Sequence, residues 1–180
     1  MYPYWSYYPR NVRPPAWVDR FVSVVAGVED VISTTGPSPA ALRSDQVLQA
    51  MTAGLVELGY AVETGKGAAD RIRRPVLFGE NGEATVAYEI DAFHDEVGIV
   101  VEVEAGRGAR GNANYRDIVR TSLIVDAEFL ALALPLAYRH SSAGRPVVVP
   151  AYADTRAQLD AIYASERLKL PFRGVLLVGY

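Results

Sequence analysis

The chain has 180 residues, half of them apolar and 22% charged, with a formal net charge of −3 and no cysteine. That length and balance suit one domain with a sizeable core. They exclude disulfides, thiolate zinc sites and cysteine nucleophiles, and the acidic net charge does not advertise a nucleic-acid binder.

No apolar run is long enough for a bilayer, and "MYPYWSYYPR" lacks the basic-then-apolar layout of a signal peptide, so a cytoplasmic location is the expectation. Of 18 basic residues 16 are arginine, and they are unevenly spread. Residues 66–74 carry Lys66, Arg71, Arg73 and Arg74 against only Asp70. Residues 105–120 carry Arg107, Arg110, Arg116 and Arg120 against only Asp117.

In chain order, residues 1–15 are rich in Tyr, Pro and Arg and read as an irregular aromatic arm that packs onto its own domain or a second copy. An apolar pattern from Ala16 to Ile32 predicts a helix, broken by "STTGPSP". A second helix follows, capped by Ser38 or Ser44, with Leu48, Met51, Leu55 and Leu58 on one face and Gly59 as its stop. The period then changes to two. "PVLF" (75–78) and "ATVAYEIDAF" (84–93) flank the hairpin turn signal Asn81-Gly82, and "IVVEVEA" (99–105) makes a third strand, giving an antiparallel meander. A long helix is expected from Tyr115 to Tyr138, with Ile118, Val119, Phe129, Leu130, Ala133 and Leu136 inward. "RPVVVP" (145–150) reads as a short buried strand, Asp154 to Arg167 as a helix capped by Asp154, and "GVLLVGY" (174–180) as a last strand. The sum is a single α/β domain, 1–180, with a mixed central sheet flanked by helices.

The candidate site lies in the meander. In a strand, side chains alternate faces, so Ile99, Val101 and Val103 point one way and Val100, Glu102 and Glu104 the other. Asp91 joins the glutamates only if paired residue numbers sum to an odd number, which a hairpin loop of even length gives, for example His94 to Val97. Burying Ile99, Val101 and Val103 with Tyr88, Ile90 and Ala92 demands the same register. Asp91, Glu102 and Glu104 therefore converge, with Glu89 nearby. Such an oxygen-rich cluster suits Mg2+ or Mn2+ rather than zinc. Glutamates alternating with valines also occur where one strand face is simply solvated. Against that reading stand Phe93 and Val100 on the carboxylate side and the arginine-rich segments on either flank, as phosphate binding would want.

"YEIDAFHDEVGIVVEVEAG" resembles the PD-(D/E)XK core of type II restriction endonucleases, with Asp91 as the motif Asp and Glu102 as its acidic residue. Glu104 stands where the motif usually has Lys, a departure found in the BamHI- and BglII-like branch. "NYRDIVRTSLIVDAEFLAL" is similar to that branch's helix after the active strand, and the resemblance covers residues 40–150 as a nuclease-like core. It implies a restriction-endonuclease-like fold and a Mg2+-dependent endonuclease that hydrolyses DNA as a homodimer. Asp91 and Glu102 would bind Mg2+ (or Mn2+), with the Val103 carbonyl as a further ligand, and Glu104 would orient or deprotonate the attacking water. Arg107, Arg110, Arg116 and Arg120, with Arg71, Arg73 and Arg74, would meet DNA phosphates. Glu89 and Glu57 are accessory acids of the site, although the helical angle of Glu57 turns it from the Leu48–Leu58 stripe. The missing Lys and the acidic net charge keep open an alternative, a catalytically silent nuclease-fold module for nucleic-acid or protein binding.

Overall fold

The architecture follows from where the apolar runs go. A computed structural model of the chain describes residues 2–105, 113–165 and 167–180. Its elements are β1 (Tyr4–Tyr8), α1 (Ala16–Gly27), α2 (Glu29–Ile32), α3 (Ser44–Glu57), β2 (Ala61–Val62), β3 (Ile72–Phe78), β4 (Ala84–Ile90), β5 (Ala92–His94), β6 (Ile99–Val103), α4 (Ala113–Ser122), β7 (Phe129–Leu134), β8 (Tyr138–Ser142), β9 (Arg145–Val149), α5 (Ala151–Ala164) and β10 (Gly174–Gly179).

Six strands form a mixed sheet in the order β1-β10-β7-β6-β5-β2. The core strands β10, β7 and β6 run parallel, and β1, β5 and β2 are added antiparallel at the two sides. One face is covered by α1 and α3: Trp17, Val18, Phe21, Val25, Val47, Leu48, Met51 and Leu55 pack on Ile99, Val101, Val103, Ala131, Leu176 and Val178. The other is covered by α4 and α5: Ile118, Tyr152, Leu159 and Ile162 pack on Phe93, Val100, Leu130, Leu132, Val175 and Leu177. No helix among the described residues is long and apolar enough to cross a membrane.

Several expected elements hold. Helix α3 begins at Ser44, but its cap is Arg43, whose N–H is accepted by Gln46 Oε1 at 3.0 Å, so neither Ser38 nor Ser44 caps it. It ends at Gly59, whose φ of +91° lets the Tyr60 N–H return to the Leu55 carbonyl at 3.0 Å. Asn81 and Gly82, with φ of 58° and 75°, make the expected β3–β4 turn.

Others do not. The arm of residues 1–15 is not irregular throughout, since β1 pairs with β10 as the sheet edge. The first helix stops at Gly27 and resumes as the short α2. The expected helix over 115–138 is the ten-residue α4, then β7. All six β7 residues, "FLALAL", are buried because both faces of a central parallel strand are covered. A run apolar on both faces has no strand period, so it reads as helix. Val119 is correspondingly exposed rather than inward. "RPVVV" is not a buried strand but half of the partly exposed β8–β9 hairpin. Helix α5 starts at Ala151 after Pro150, which leaves Asp154 in its first turn.

Candidate active site

The meander is present but interrupted at the residue that matters most. Strand β3 pairs with β4 as a separate two-stranded ribbon, and β5 pairs with β6 in the main sheet; Asp91 lies between β4 and β5. The pairs Ala92–Val101, Phe93–Val100 and His94–Ile99 give the odd-sum register, through a four-residue loop, Asp95 to Gly98. The loop is shifted by one from His94–Val97. One step beyond the last pair, Asp91 comes opposite Glu102. The Asp91 carboxylate accepts the Val103 N–H at 2.6 Å, and its carbonyl accepts the Glu63 N–H at 2.8 Å. These two bonds redirect the chain. Ile90 consequently packs with Phe93 and Val100 rather than with Ala92, and Tyr88 stays half-buried on the ribbon.

Alternation puts Glu102 and Glu104 on the sheet face covered by α4. That helix turns Asn114, Asp117, Ile118 and Thr121 inward, all buried. Asp117 thereby becomes a further acid at the cluster. Arg116 Nε donates to Asp117 Oδ1 at 3.1 Å, and Nη2 lies 3.1 Å from the same oxygen and 3.7 Å from Glu104 Oε1. Asp117 Oδ2 is buried without a hydrogen-bond partner among the described residues. The Tyr180 hydroxyl, buried behind the strand, donates to the Glu104 carbonyl at 2.8 Å.

The acids raise one another's proton affinity. Burial pushes the Asp91 carboxyl up to about 6, with Glu63 and Asp117 adding to the effect and the Val103 N–H and Arg120 opposing it. Glu102 is held well above the ordinary carboxylate range by burial and then by Asp91 and Asp117. Glu104 is pushed up to about 7 by burial and by its contact with Asp117, against Arg116. Glu63, also raised by burial, lines with Asp91 and Glu104 a cleft of about 1240 Å³ whose lining also includes Arg43, Lys66 and Arg139.

The remaining residues divide as follows. Glu89 is not joined to the cluster, because both of its carboxylate oxygens accept from Arg71 at 2.8 Å. Arg74 is bound to Asp95 and lies 3.8 Å above the Phe93 ring centre, and Arg73 is exposed. Arg120 donates to the Glu89 carbonyl at 3.1 Å and faces the Tyr88 ring. Glu57 is exposed on the α1–α3 side, lining a different groove with Arg20 and Gly54, as its helical angle foretold. Arg107 and Arg110 lie outside the described residues. Sequence reasoning missed Glu63 and Asp117. The signal for Asp117 was a polar stripe at helical spacing, Asn114, Asp117 and Thr121, on a helix that must face a sheet.

No three acid or histidine side chains among the described residues enclose a point where a metal ion would sit as they stand. The donor chemistry nevertheless fits a hard dication. It is all oxygen, its members repel one another, and Asp117 Oδ2 is a buried acceptor with no donor among the described residues.

The layered sheet, with its acids between β5, β6 and α4, is a restriction-endonuclease-like fold. The structure is similar to that of the restriction endonuclease BglII complexed with a DNA 16-mer, with a TM-score of 0.55 and 12% sequence identity over 99% of this chain and 78% of that one. No protein-family model matches the chain, and no curated protein matches it.

Proposed function

We propose that the chain is a divalent-cation-dependent endonuclease that hydrolyses DNA phosphodiester bonds. The observation that carries this reading is the β5–β6 register, which brings Asp91 opposite Glu102 with Glu104 two residues on along the same face. The fold likeness to a DNA-bound restriction endonuclease supports the substrate class.

Asp91 and Glu102 would hold Mg2+ or Mn2+, with the Val103 carbonyl as a further ligand. Such an ion, when bound there, would supply polarisation of a phosphate oxygen and a lowered pKa for water. The protein supplies the rest. Glu104, titrating at about 7, is poised at neutral pH to accept a proton from the attacking water or to orient it. Glu63 adds negative charge on the cleft side of Asp91. Arg116 and Arg120, beside the acids, and Arg73, exposed on the ribbon, would meet backbone phosphates. Arg71 and Arg74 must first exchange their partners Glu89 and Asp95. Cleavage of a palindrome calls for a homodimer. Tyr115, Val119 and Leu123 form an exposed stripe along α4 that a second copy would cover.

The alternative is a catalytically silent module of the same fold. It is favoured by Glu104 in the motif's Lys position and by the absence, among the described residues, of three donors closed around one point. Plasmid cleavage with Mg2+ or Mn2+ decides. Wild type should nick or linearise the plasmid, and Asp91→Ala and Glu102→Ala should not. Cleavage that survives both substitutions removes this site from consideration; a wild type that binds DNA without cutting it leaves the silent module.

A further inference from the structure

Arg116 is unlike the other arginines near the site because its partner is buried. Its side chain is 59% exposed, whereas the side chain of Asp117 is only 3% exposed. Two of its nitrogens, Nε and Nη2, converge on the single oxygen Asp117 Oδ1, and Nη2 also reaches toward Glu104. A guanidinium gripped along one edge cannot pivot, and here Nη1 takes part in neither contact. Asp117 is itself fixed. It lies on the inward face of α4, between Asn114, which donates to Thr155 Oγ1 at 2.5 Å, and Thr121, whose hydroxyl donates to the Asp117 carbonyl at 2.6 Å. These bonds tie α4 to α5 and hold the turn that carries Asp117. The result is a planar cation pre-set beside Glu104. There a mobile cation would otherwise fold down onto Glu104 or lose rotamer entropy on meeting an anion.

Resting on the DNA-binding reading above, we propose that Asp117 is a positioning residue: it locks Arg116 so that the outer edge of the guanidinium meets one DNA backbone phosphate beside the carboxylates. Asp117 touches no substrate in this assignment. It acts through Arg116, and its charge alone would oppose DNA.

That opposition makes the proposal testable. Neutralising a buried acid near DNA favours binding if charge is all that counts. If position counts, the same change removes a phosphate contact. Binding of duplex DNA to the full chain is measured against salt concentration, with Ca2+ replacing Mg2+, for wild type, Arg116→Ala, Asp117→Ala and the double variant. Each phosphate contact contributes about 0.9 to the slope of log affinity against log salt. Arg116→Ala should lower the slope by about 0.9. Asp117→Ala, which removes the gripping oxygen, should lower it similarly despite its favourable charge change, and the double variant should lose no more than either single one.

A wild-type slope in Asp117→Ala, or tighter binding with an unchanged slope, overturns the assignment while leaving DNA binding intact. A wild type that binds no DNA overturns the parent reading with it. Should Asp117→Ala fail to fold, Arg116→Lys keeps the test, because lysine retains the charge but lacks the fork. It should weaken binding severalfold, and wild-type affinity in that variant overturns the assignment.

Discussion

Asp91→Asn is expected to stabilise the metal-free protein above neutral pH. The fold raises this carboxyl from its ordinary 3.8 to about 6, burial being the largest cause. Below pH 3.8 the group is protonated in both the folded and the unfolded chain and costs nothing. As pH rises from there to about 6, the unfolded chain releases its proton first, so stability falls. Above that range the cost levels off at about 3 kcal/mol, since each tenfold gain in proton affinity on folding corresponds to about 1.4 kcal/mol. Asparagine keeps an oxygen to accept the Val103 N–H and carries no charge, so it removes that cost and relieves Glu102 as well. At this chain length about 1 kcal/mol moves the melting temperature by about 2–4 °C. The variant should therefore melt about 6–12 °C above wild type at pH 8 in chelator, with little difference at pH 4. Mg2+ should then all but close that gap. An ion at a hundred times its dissociation constant stabilises the wild type by about 2.7 kcal/mol through linkage and leaves the variant unmoved. Paired thermal melts across pH, with and without Mg2+, make the measurement. A variant less stable than wild type at pH 8 in chelator would refute the electrostatic account of the cluster.

Three further outcomes are expected. If Glu104 is the group that handles the proton, cleavage should rise with pH through about 7 and Glu104→Gln should flatten that limb of the pH–rate profile. Tyr180→Phe should cost about 1 kcal/mol in a denaturant melt, because the buried Glu104 carbonyl loses its donor. Leu130→Ala, at a fully buried position on β7, should cost about 2–5 kcal/mol, whereas Val119→Ala on the exposed side of α4 should fall within about 0.5 kcal/mol.

Where one face of a strand is buried and the other carries charge, the sequence was legible. Ile99, Val101 and Val103 against Glu102 and Glu104 admit one orientation, and that orientation with an even loop brings in Asp91. Gly59 and Asn81-Gly82 were legible because their backbone angles exclude most other residues. The failures share a cause. Strand β7 is apolar on both faces and β1 is a short aromatic edge strand, so neither shows a clean alternation; their identity comes from neighbours distant in the chain. Asp117 and Glu63 enter the site from other elements, α4 and the segment after β2. Their role depends on tertiary approach rather than on spacing along the strand. Glu89 shows the converse. It shares a face with Asp91 by alternation, yet the break at Asp91 leaves it on the ribbon with Arg71.

That break has a consequence for how such a protein can diversify. The β3–β4 ribbon shares no ladder with the six-stranded sheet; it is moored near its base by the chain at Asp91, by Arg120 on the Glu89 carbonyl, by Arg74 on Asp95 and by the Val125 N–H to the Pro75 carbonyl at 3.1 Å. Its far end, with Leu77 and Phe78 exposed, extends beyond the packed layers. Residues can be added, removed or exchanged around Asn81-Gly82 without altering a single pairing of β5 with β6. The acids keep their geometry while the arm is rewritten. A fold arranged this way separates the part that performs chemistry from a part free to drift, so new surface contacts can be acquired by lineage after lineage at no expense to the register that holds Asp91 opposite Glu102.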